Sequence, residues 1–186
     1  KNPEYGAYIN FYLNQDAQEA IQIQIKDNAG NLITTLTHKQ AKKGINRVVW
    51  DLGYEGAVAL KNQIKEGFSY GSIRPKVIPG TYTAHISYKA TKLETEINVI
   101  GDLRIKMSTE AYKAKLEALL ELRNLLSQTH QLIDQFSSVI DQLAILNEKL
   151  ESNANTKSLV STTHQELVTY KEEHLMRPPP SMNYRQ

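Results

Sequence analysis

The stretch GINRVVWDLGY, residues 44–54, decides how the first part of the chain folds. Val48, Trp50 and Leu52 share one face of it, in the two-residue period that is typical of a half-buried β-strand. A tryptophan side chain buries enough apolar area to anchor a small core. The stretch therefore predicts a core strand that follows Gly44 and leads into a glycine-containing loop.

The same alternation occurs in five other short segments. The sequence DNAGN at residues 27–31 supplies a turn between two of them, and Pro79-Gly80 precedes another with a glycine that can take a positive φ. The residues expected on the inward faces are Ala7, Ile9, Phe11 and Leu13; Ile21, Ile23 and Ile25; Leu32, Thr34 and Leu36; Tyr82, Ala84, Ile86 and Tyr88; and Leu93, Thr95, Ile97 and Val99. Six strands of this kind predict an antiparallel β-sandwich of two sheets.

The composition changes near residue 101. All nine glycines lie between Gly6 and Gly101, whereas residues 102–177 contain neither glycine nor proline. Because glycine and proline mark turns and interrupt helices, the change separates a strand-rich part from a helical part. We therefore expect an α+β chain of two units, a β-sandwich over residues 1–101 and a helical unit with a proline-rich tail over residues 102–186.

The helical unit is expected to begin at Thr109, with Ser108 as its N-cap and Glu110 near the positive end of the helix dipole. Apolar residues follow at spacings of three and four, the heptad geometry of coiled coils. The packing stripe consists of Leu119, Leu122, Leu126, Ile133, Phe136, Ile140 and Leu143. A flanking row, Leu125, Leu132, Val139 and Leu146, makes the apolar face wider than a two-stranded coiled-coil seam usually needs. A second helix over residues 157–175 is expected to pack against the first as an antiparallel hairpin, leaving the stripe near Leu119 to cover another surface.

The strand pattern GxNxVxWD at residues 44–51 and the pattern PGTY at residues 79–82 resemble the immunoglobulin-like module of flagellar hook-capping proteins, the FlgD-like Ig fold. With the opening NPEYGAYINFYL and the ending PPPSMNYRQ, nearly the whole chain resembles the C-terminal region of exported bacterial proteins. Those proteins carry BNR or sortilin-type β-propeller repeats and are often labelled glycosyl hydrolase or exo-sialidase-like. The resemblance implies an exported protein, located in the periplasm, on the cell surface or outside the cell.

The same resemblance limits the chemistry expected of this chain. Propeller repeats of that family carry Asp-box motifs of the form S-x-D-x-G-x-x-W, and none occurs here. Any sugar-cleaving site implied by the resemblance would therefore lie upstream of Lys1, in a larger protein of which this chain is a piece. The expected partners are that upstream propeller or a second copy of the chain.

The residues themselves predict no catalytic or metal site. The five histidines show no H-E-x-x-H or comparable spacing, and His164 and Glu166 lie on different faces of a helix. Asp51 is expected to accept hydrogen bonds from the turn at Gly53, because no second carboxylate is placed at a defined separation from it. We predict that the chain is not an enzyme and binds no cofactor.

Charge and hydropathy exclude further classes of partner. A net charge of +2 on 186 residues, with the basic residues dispersed, gives no argument for nucleic acid. No run approaches the roughly 20 apolar residues that a membrane span requires. Cysteine is absent, which excludes disulfides and thiolate metal sites but leaves the compartment open.

The connection over residues 53–79 is longer than the roughly 12–15 residues usual for a loop, so it is functional or contains a short helix near residues 58–64. Tyr54, Phe68 and Tyr70 lie in it, and Tyr8 and Tyr12 lie on the outward face of the first strand. These aromatic residues either stack on sugar rings or pack the loop and dock a neighbouring domain, and we favour packing and docking. The sequence thus predicts a noncatalytic structural and docking module, with a carbohydrate-binding accessory module as the alternative.

Overall fold

The computed structural model describes residues 4–61, 74–102, 104–150 and 154–175. Over these residues the chain is α+β, with six strands in two antiparallel sheets followed by a helical region. The strands are β1 (Ala7–Leu13), β2 (Ile21–Asp27), β3 (Leu32–His38), β4 (Gly44–Trp50), β5 (Gly80–Tyr88) and β6 (Thr91–Val99). The helices are α1 (Thr109–Lys149) and α2 (Ala154–Tyr170), and α2 continues into a π-helical turn, Lys171–Leu175.

The larger sheet has four strands in the order β3-β2-β5-β6. Its first two strands form the expected hairpin, because the Asp27 carboxylate accepts hydrogen bonds from the amides of Ala29 at 2.9 Å and Asn31 at 2.8 Å. Gly30 takes a φ of 83° in this turn, which a residue with a side chain rarely adopts. Burial acts to raise the pKa of Asp27, but these hydrogen bonds outweigh it and hold the pKa below its usual range.

The smaller sheet consists of β1 paired with β4, and Ile9 lies opposite Val48. Buried residues of both sheets share one hydrophobic core, to which Ile9, Phe11, Ile21, Ile23, Ile25, Ile33, Ala41, Trp50, Tyr82, Ala84 and Ile86 contribute. Trp50 is fully buried and meets the Tyr82 ring edge-on, with 5.5 Å between the ring centroids. The inward faces expected of β1, β2, β4 and β5 are therefore confirmed.

Two strands differ from the alternation that the sequence predicts. In β3, Leu32 is 53% exposed and Ile33 is buried beside Thr34. The cause is a β-bulge: Ile25 pairs with Thr34 and Lys26 with Leu32, so that Ile33 is the extra residue. In β6, Leu93 is exposed, although Ile97 and Val99 pack against the core as expected. β6 is the last strand of the larger sheet in the described chain, and such an edge position gives a side chain fewer neighbours.

The helix α1 begins as expected. The Ser108 hydroxyl accepts a hydrogen bond from the amide of Ala111 at 3.2 Å, and the helix starts at Thr109. It then runs without a break for 41 residues, or about 60 Å at 1.5 Å per residue. The ring of Phe136 on α1 lies 5.9 Å from the ring of Tyr170 on α2. No described helix is both long and apolar enough to cross a membrane.

The short helix near residues 58–64, one of the two alternatives for this connection, is absent from residues 58–61, and residues 62–64 lie outside the described part of the chain. Side chains of α1 bind this backbone instead. The amide of Val58 donates to the Ser127 hydroxyl at 3.1 Å, and the amide of Lys61 donates to the Asp134 carboxylate at 3.2 Å. The carbonyl of Val58 accepts a hydrogen bond from Nδ1 of His130. These bonds replace the internal ones that a short helix would have made.

The chain divides into two compact units. The first comprises residues 1–57 and 65–126, and the second comprises residues 58–64 and 127–186. The division at residue 101 that we expect from the sequence rests on glycine and proline content, whereas these two units are defined by contacts between residues in space. The sequence-based division remains a prediction about which parts fold independently.

We expect Trp50→Ala to lower the free energy of unfolding by about 3–5 kcal/mol, because a large core side chain is lost. Ile45→Ala, on the same strand but at a side chain 82% exposed, should change it by less than about 0.5 kcal/mol. Chemical denaturation followed by circular dichroism measures both variants, since Trp50 is the only tryptophan and its removal eliminates tryptophan fluorescence as a probe. Equal losses in the two variants would contradict the central position of Trp50.

Tyr82 should make stability depend on alkaline pH. Burial raises the pKa of Tyr82 to about 12, from an ordinary value of 10.0. Because the folded pKa exceeds the unfolded one, this contribution is complete below pH 10 and is lost as the pH rises through about 12. Denaturation at several alkaline pH values should show a fall in the free energy of unfolding that Tyr82→Phe makes shallower. Tyr12→Phe, at an exposed position, is the control, and an identical slope in both variants would contradict the assignment.

Candidate functional site

The aromatic residues proposed from the sequence do not form one exposed platform in the described chain. Tyr54 is half-buried and packs against the core, and burial raises the pKa of its hydroxyl. Its amide donates to the carbonyl of Pro75 at 2.8 Å, and its carbonyl accepts a hydrogen bond from Nε of Arg74 at 2.5 Å. Phe68 and Tyr70 lie outside the described residues.

Tyr8 and Tyr12 lie on the outward face of the β1–β4 sheet, as the sequence predicts. Tyr12 is 68% exposed and lies opposite Ile45, which is also exposed. The guanidinium of Arg47 lies 4.7 Å from the centre of the Tyr8 ring and donates to Asn10 Oδ1 at 2.9 Å. We call these five residues the outer tyrosine face. It combines exposed rings with a fixed cation and an amide.

A concave surface lies in the first unit, between the start of α1 and residues 74–78. It has a volume of about 510 Å³, within the range of roughly 300–1,000 Å³ of ligand sites. The apolar residues that line it include Leu116, Leu119, Leu122 and Leu126 from α1 and Pro75, Val77 and Ile78 from the opposite wall. We call it the α1 groove. Leu122 is 62% exposed, so a large apolar side chain on this wall is open to contact.

Positive charge surrounds the α1 groove. Arg74, Lys76, Lys115 and Arg123 line it, and no carboxylate belongs to its described lining. Arg123 donates to the carbonyl of Glu55 at 3.1 Å, which fixes one cation of the α1 wall. Lys115 is exposed. The groove therefore suits an apolar group that is accompanied by negative charge.

Asp51 positions the opposite wall. Its carboxylate lies 3.3 Å from Nη1 of Arg74 and 2.9 Å from Nζ of Lys76. It also accepts the amide of Gly53 at 3.1 Å, which is the turn role expected from the sequence. Burial acts to raise the pKa of Asp51, but the hydrogen bond from Lys76 and the charges of Arg74 and Lys76 outweigh it and hold the pKa below its usual range.

The packing stripe predicted on α1 divides between the two units. In the first unit, Leu119, Leu122 and Leu126 line the α1 groove. In the second unit, Ile133 and Ile140 are buried, and Phe136 and Leu143 are half-buried.

His130, which the sequence did not single out, is also buried in the second unit. Its spacing of three residues from Ile133 was a signal that it faces inward, but its bond to the Val58 carbonyl had no signal in the sequence.

Neither a metal-binding cluster in the described residues nor a comparison with known proteins assigns a further site. Within the described residues no three histidine, aspartate or glutamate side chains are grouped so as to hold a metal ion. Nδ1 of half-buried His85 lies 2.9 Å from Oε1 of exposed Glu94, and the two side chains form a surface contact on the larger sheet. The chain matches no protein-family model, no curated protein and no solved structure.

We expect Asp51→Asn to lower the free energy of unfolding at neutral pH by about 1–3 kcal/mol, because partly buried Arg74 loses its carboxylate partner. The pKa of Asp51 is lowered in the folded state, so its contribution is present above the ordinary value of 3.8 and is lost as the pH falls below it. The difference between Asp51→Asn and wild type should therefore shrink in acid. Urea denaturation at neutral and acidic pH measures it, with Asp141→Asn at an exposed helix position as the control. A difference that does not depend on pH would contradict this role.

Proposed function

We propose that the chain is a noncatalytic structural and docking module from the C-terminal part of an exported bacterial β-propeller protein of the glycosyl-hydrolase-like class. It consists of an Ig-like, FlgD-like β-sandwich followed by an antiparallel helical hairpin. Support for the sandwich comes from the core that the two sheets share. Support for the hairpin comes from the contact of Phe136 with Tyr170, close to the end of α2.

The observation that carries the docking role is the α1 groove. Soluble proteins rarely leave a contiguous apolar surface exposed without a partner for it. Leu119 and Leu122 are exposed large apolar residues in this groove, and both were expected from the sequence to cover another surface. An occupant fits best if it offers an apolar side chain flanked by carboxylates, because the groove combines apolar walls with four cations.

The proposed occupant is a surface of the propeller that precedes Lys1 in the parent protein. Docking there fixes the orientation of the module relative to the propeller, so the mechanism is burial of apolar area guided by charge. Burial supplies most of the affinity, while the cations increase the association rate and restrict which surface is accepted.

Binding of the separately prepared propeller to this chain, measured by calorimetry, tests the proposal. Leu122→Asp should weaken binding by about tenfold or more, because a central apolar contact is replaced by a charge. Lys115→Glu should slow association and make binding less sensitive to salt. Leu93→Asp, an equally drastic change at an exposed leucine of β6, is the matched control. Absence of binding by the wild type, or equal binding by Leu122→Asp and Leu93→Asp, would overturn the proposal.

The alternative function is carbohydrate binding. The outer tyrosine face favours it, because exposed Tyr12 and the Arg47–Tyr8 stack provide a ring, a cation and an amide on one sheet surface. Half-buried Tyr54 offers less surface for stacking. Titration with soluble glycans discriminates between the two functions: binding that Tyr12→Ala abolishes and Leu122→Asp leaves intact would favour the carbohydrate-binding module.

A further inference from the structure

A second apolar surface lies on the part of α1 that belongs to the second unit. Leu132, Val139 and Leu146 repeat every seven residues, and all three are exposed, Leu132 to 65%. We call them the outer heptad row. The neighbouring positions Phe136 and Leu143 are half-buried. A row at a strict seven-residue spacing stays on one side of a helix that supercoils with a partner, so this row is shaped to pack along another helix.

The polar residues beside the row show which partner fits. Gln128, Gln135 and Gln142 form a parallel line at the same spacing and are exposed. The line begins with Glu121 and ends with Lys149, four heptads later on the same continuous helix. When two such helices pack antiparallel, the negative end of each line lies beside the positive end of the other, and the uncharged glutamines lie between them.

We propose that two copies of this chain associate through the outer heptad rows, with their α1 helices antiparallel and a two-fold axis near Gln135. This register faces Leu132 of one copy with Val139 of the other. It also brings Glu121 of each copy beside Lys149 of the other, because both lie about 14 residues from the axis. Gln135 lies next to its own equivalent.

A parallel pair would lack this charge match. The polar line of one helix would then face the opposite flank of its partner, where Ile133 and Ile140 are already buried within their own chain. Between Leu132 and Lys149 the charged residues are Asp134, Asp141 and Glu148, which lie two residues after each member of the row and so point away from the pairing face. Association therefore requires no buried charge.

The self-association surface is distinct from the proposed docking surface and binds a different partner. The α1 groove is in the first unit and its proposed occupant is a propeller, whereas the outer heptad row is in the second unit and pairs with itself. Either can fail while the other holds.

Light scattering of the full chain over a range of concentrations is the first test. The wild type should form a dimer, and Leu132→Glu should weaken self-association about 100-fold or more, since each copy loses an apolar contact worth roughly tenfold. Leu93→Glu is the matched control and should leave the dimer unchanged. A wild-type monomer at every concentration, or equal dimerisation by Leu132→Glu, would overturn the proposal.

The absence of cysteine from the chain allows a test of the register that does not depend on the stability of the variants. Gln135→Cys should be crosslinked to its own copy by a short bismaleimide. Gln128→Cys alone should not, because its two copies lie more than about 20 Å apart along the axis, but a mixture of Gln128→Cys and Gln142→Cys should be. Crosslinking of Gln128→Cys as efficient as that of Gln135→Cys, or none in any combination, would refute the antiparallel register.

A charge exchange supplies a second check on the same register. Glu121→Lys and Lys149→Glu should each weaken the dimer, because each sets like charges beside one another across the two-fold axis. The double variant with both changes should restore the wild-type dissociation constant. A double variant weaker than either single variant would contradict the pairing.

Discussion

The hydrogen bond from the Trp50 indole N–H to the carbonyl of Gly53, 3.0 Å long, is the constraint on which the first unit depends. It lets a large side chain be fully buried without an unpaired donor, and it requires the chain to turn back within three residues. Leu52 accordingly adopts a φ of 59°, an uncommon value for a residue with a side chain. The carboxylate of Asp51 then holds the amide of Gly53, so that the corner is fixed from both sides.

This corner also builds one wall of the α1 groove. The amide of Val77 donates to the carbonyl of Leu52 at 2.8 Å, and Gly53 is bridged to Lys76, so residues 75–77 run antiparallel to the turn. Arg74 and Lys76 both form ion pairs with the Asp51 carboxylate. These ion pairs explain why two cations lie beside the apolar residues of the α1 groove. The groove is thus a consequence of how the tryptophan strand ends.

Local patterns predicted most of the elements and few of the contacts between distant segments. Two patterns predicted their elements correctly, because each depends on residues close in sequence. They are the alternation of Ile21, Ile23 and Ile25 in β2 and the cap of α1 at Ser108. Leu32 was wrongly expected to face the core, because a β-bulge shifts the two-residue period within β3. No feature of the local sequence marks the position of that bulge.

The candidate site shows the same division. The leucines of α1 were expected to cover a surface, but the Arg74 wall was not foreseen, because Asp51 and Arg74 are 23 residues apart. Loop length left two alternatives for this connection, a functional loop or a short helix near residues 58–64. The structure instead ties the backbone of residues 58–61 to side chains about 70 residues later, at Ser127 and Asp134. Contacts over such separations depend on the folded topology and have no local period to reveal them.

The most direct test of the constraint at Trp50 is the hydrogen exchange rate of its indole N–H, followed by NMR, where a single tryptophan gives a single indole resonance. If the corner constrains the whole first unit, this proton exchanges only when the unit unfolds, with the same opening free energy as the slowest core amides of β2 and β5. Exchange with a much smaller opening free energy would mean that the corner opens locally while the sheets persist. That result would contradict the central role of Trp50 and Gly53 in the first unit.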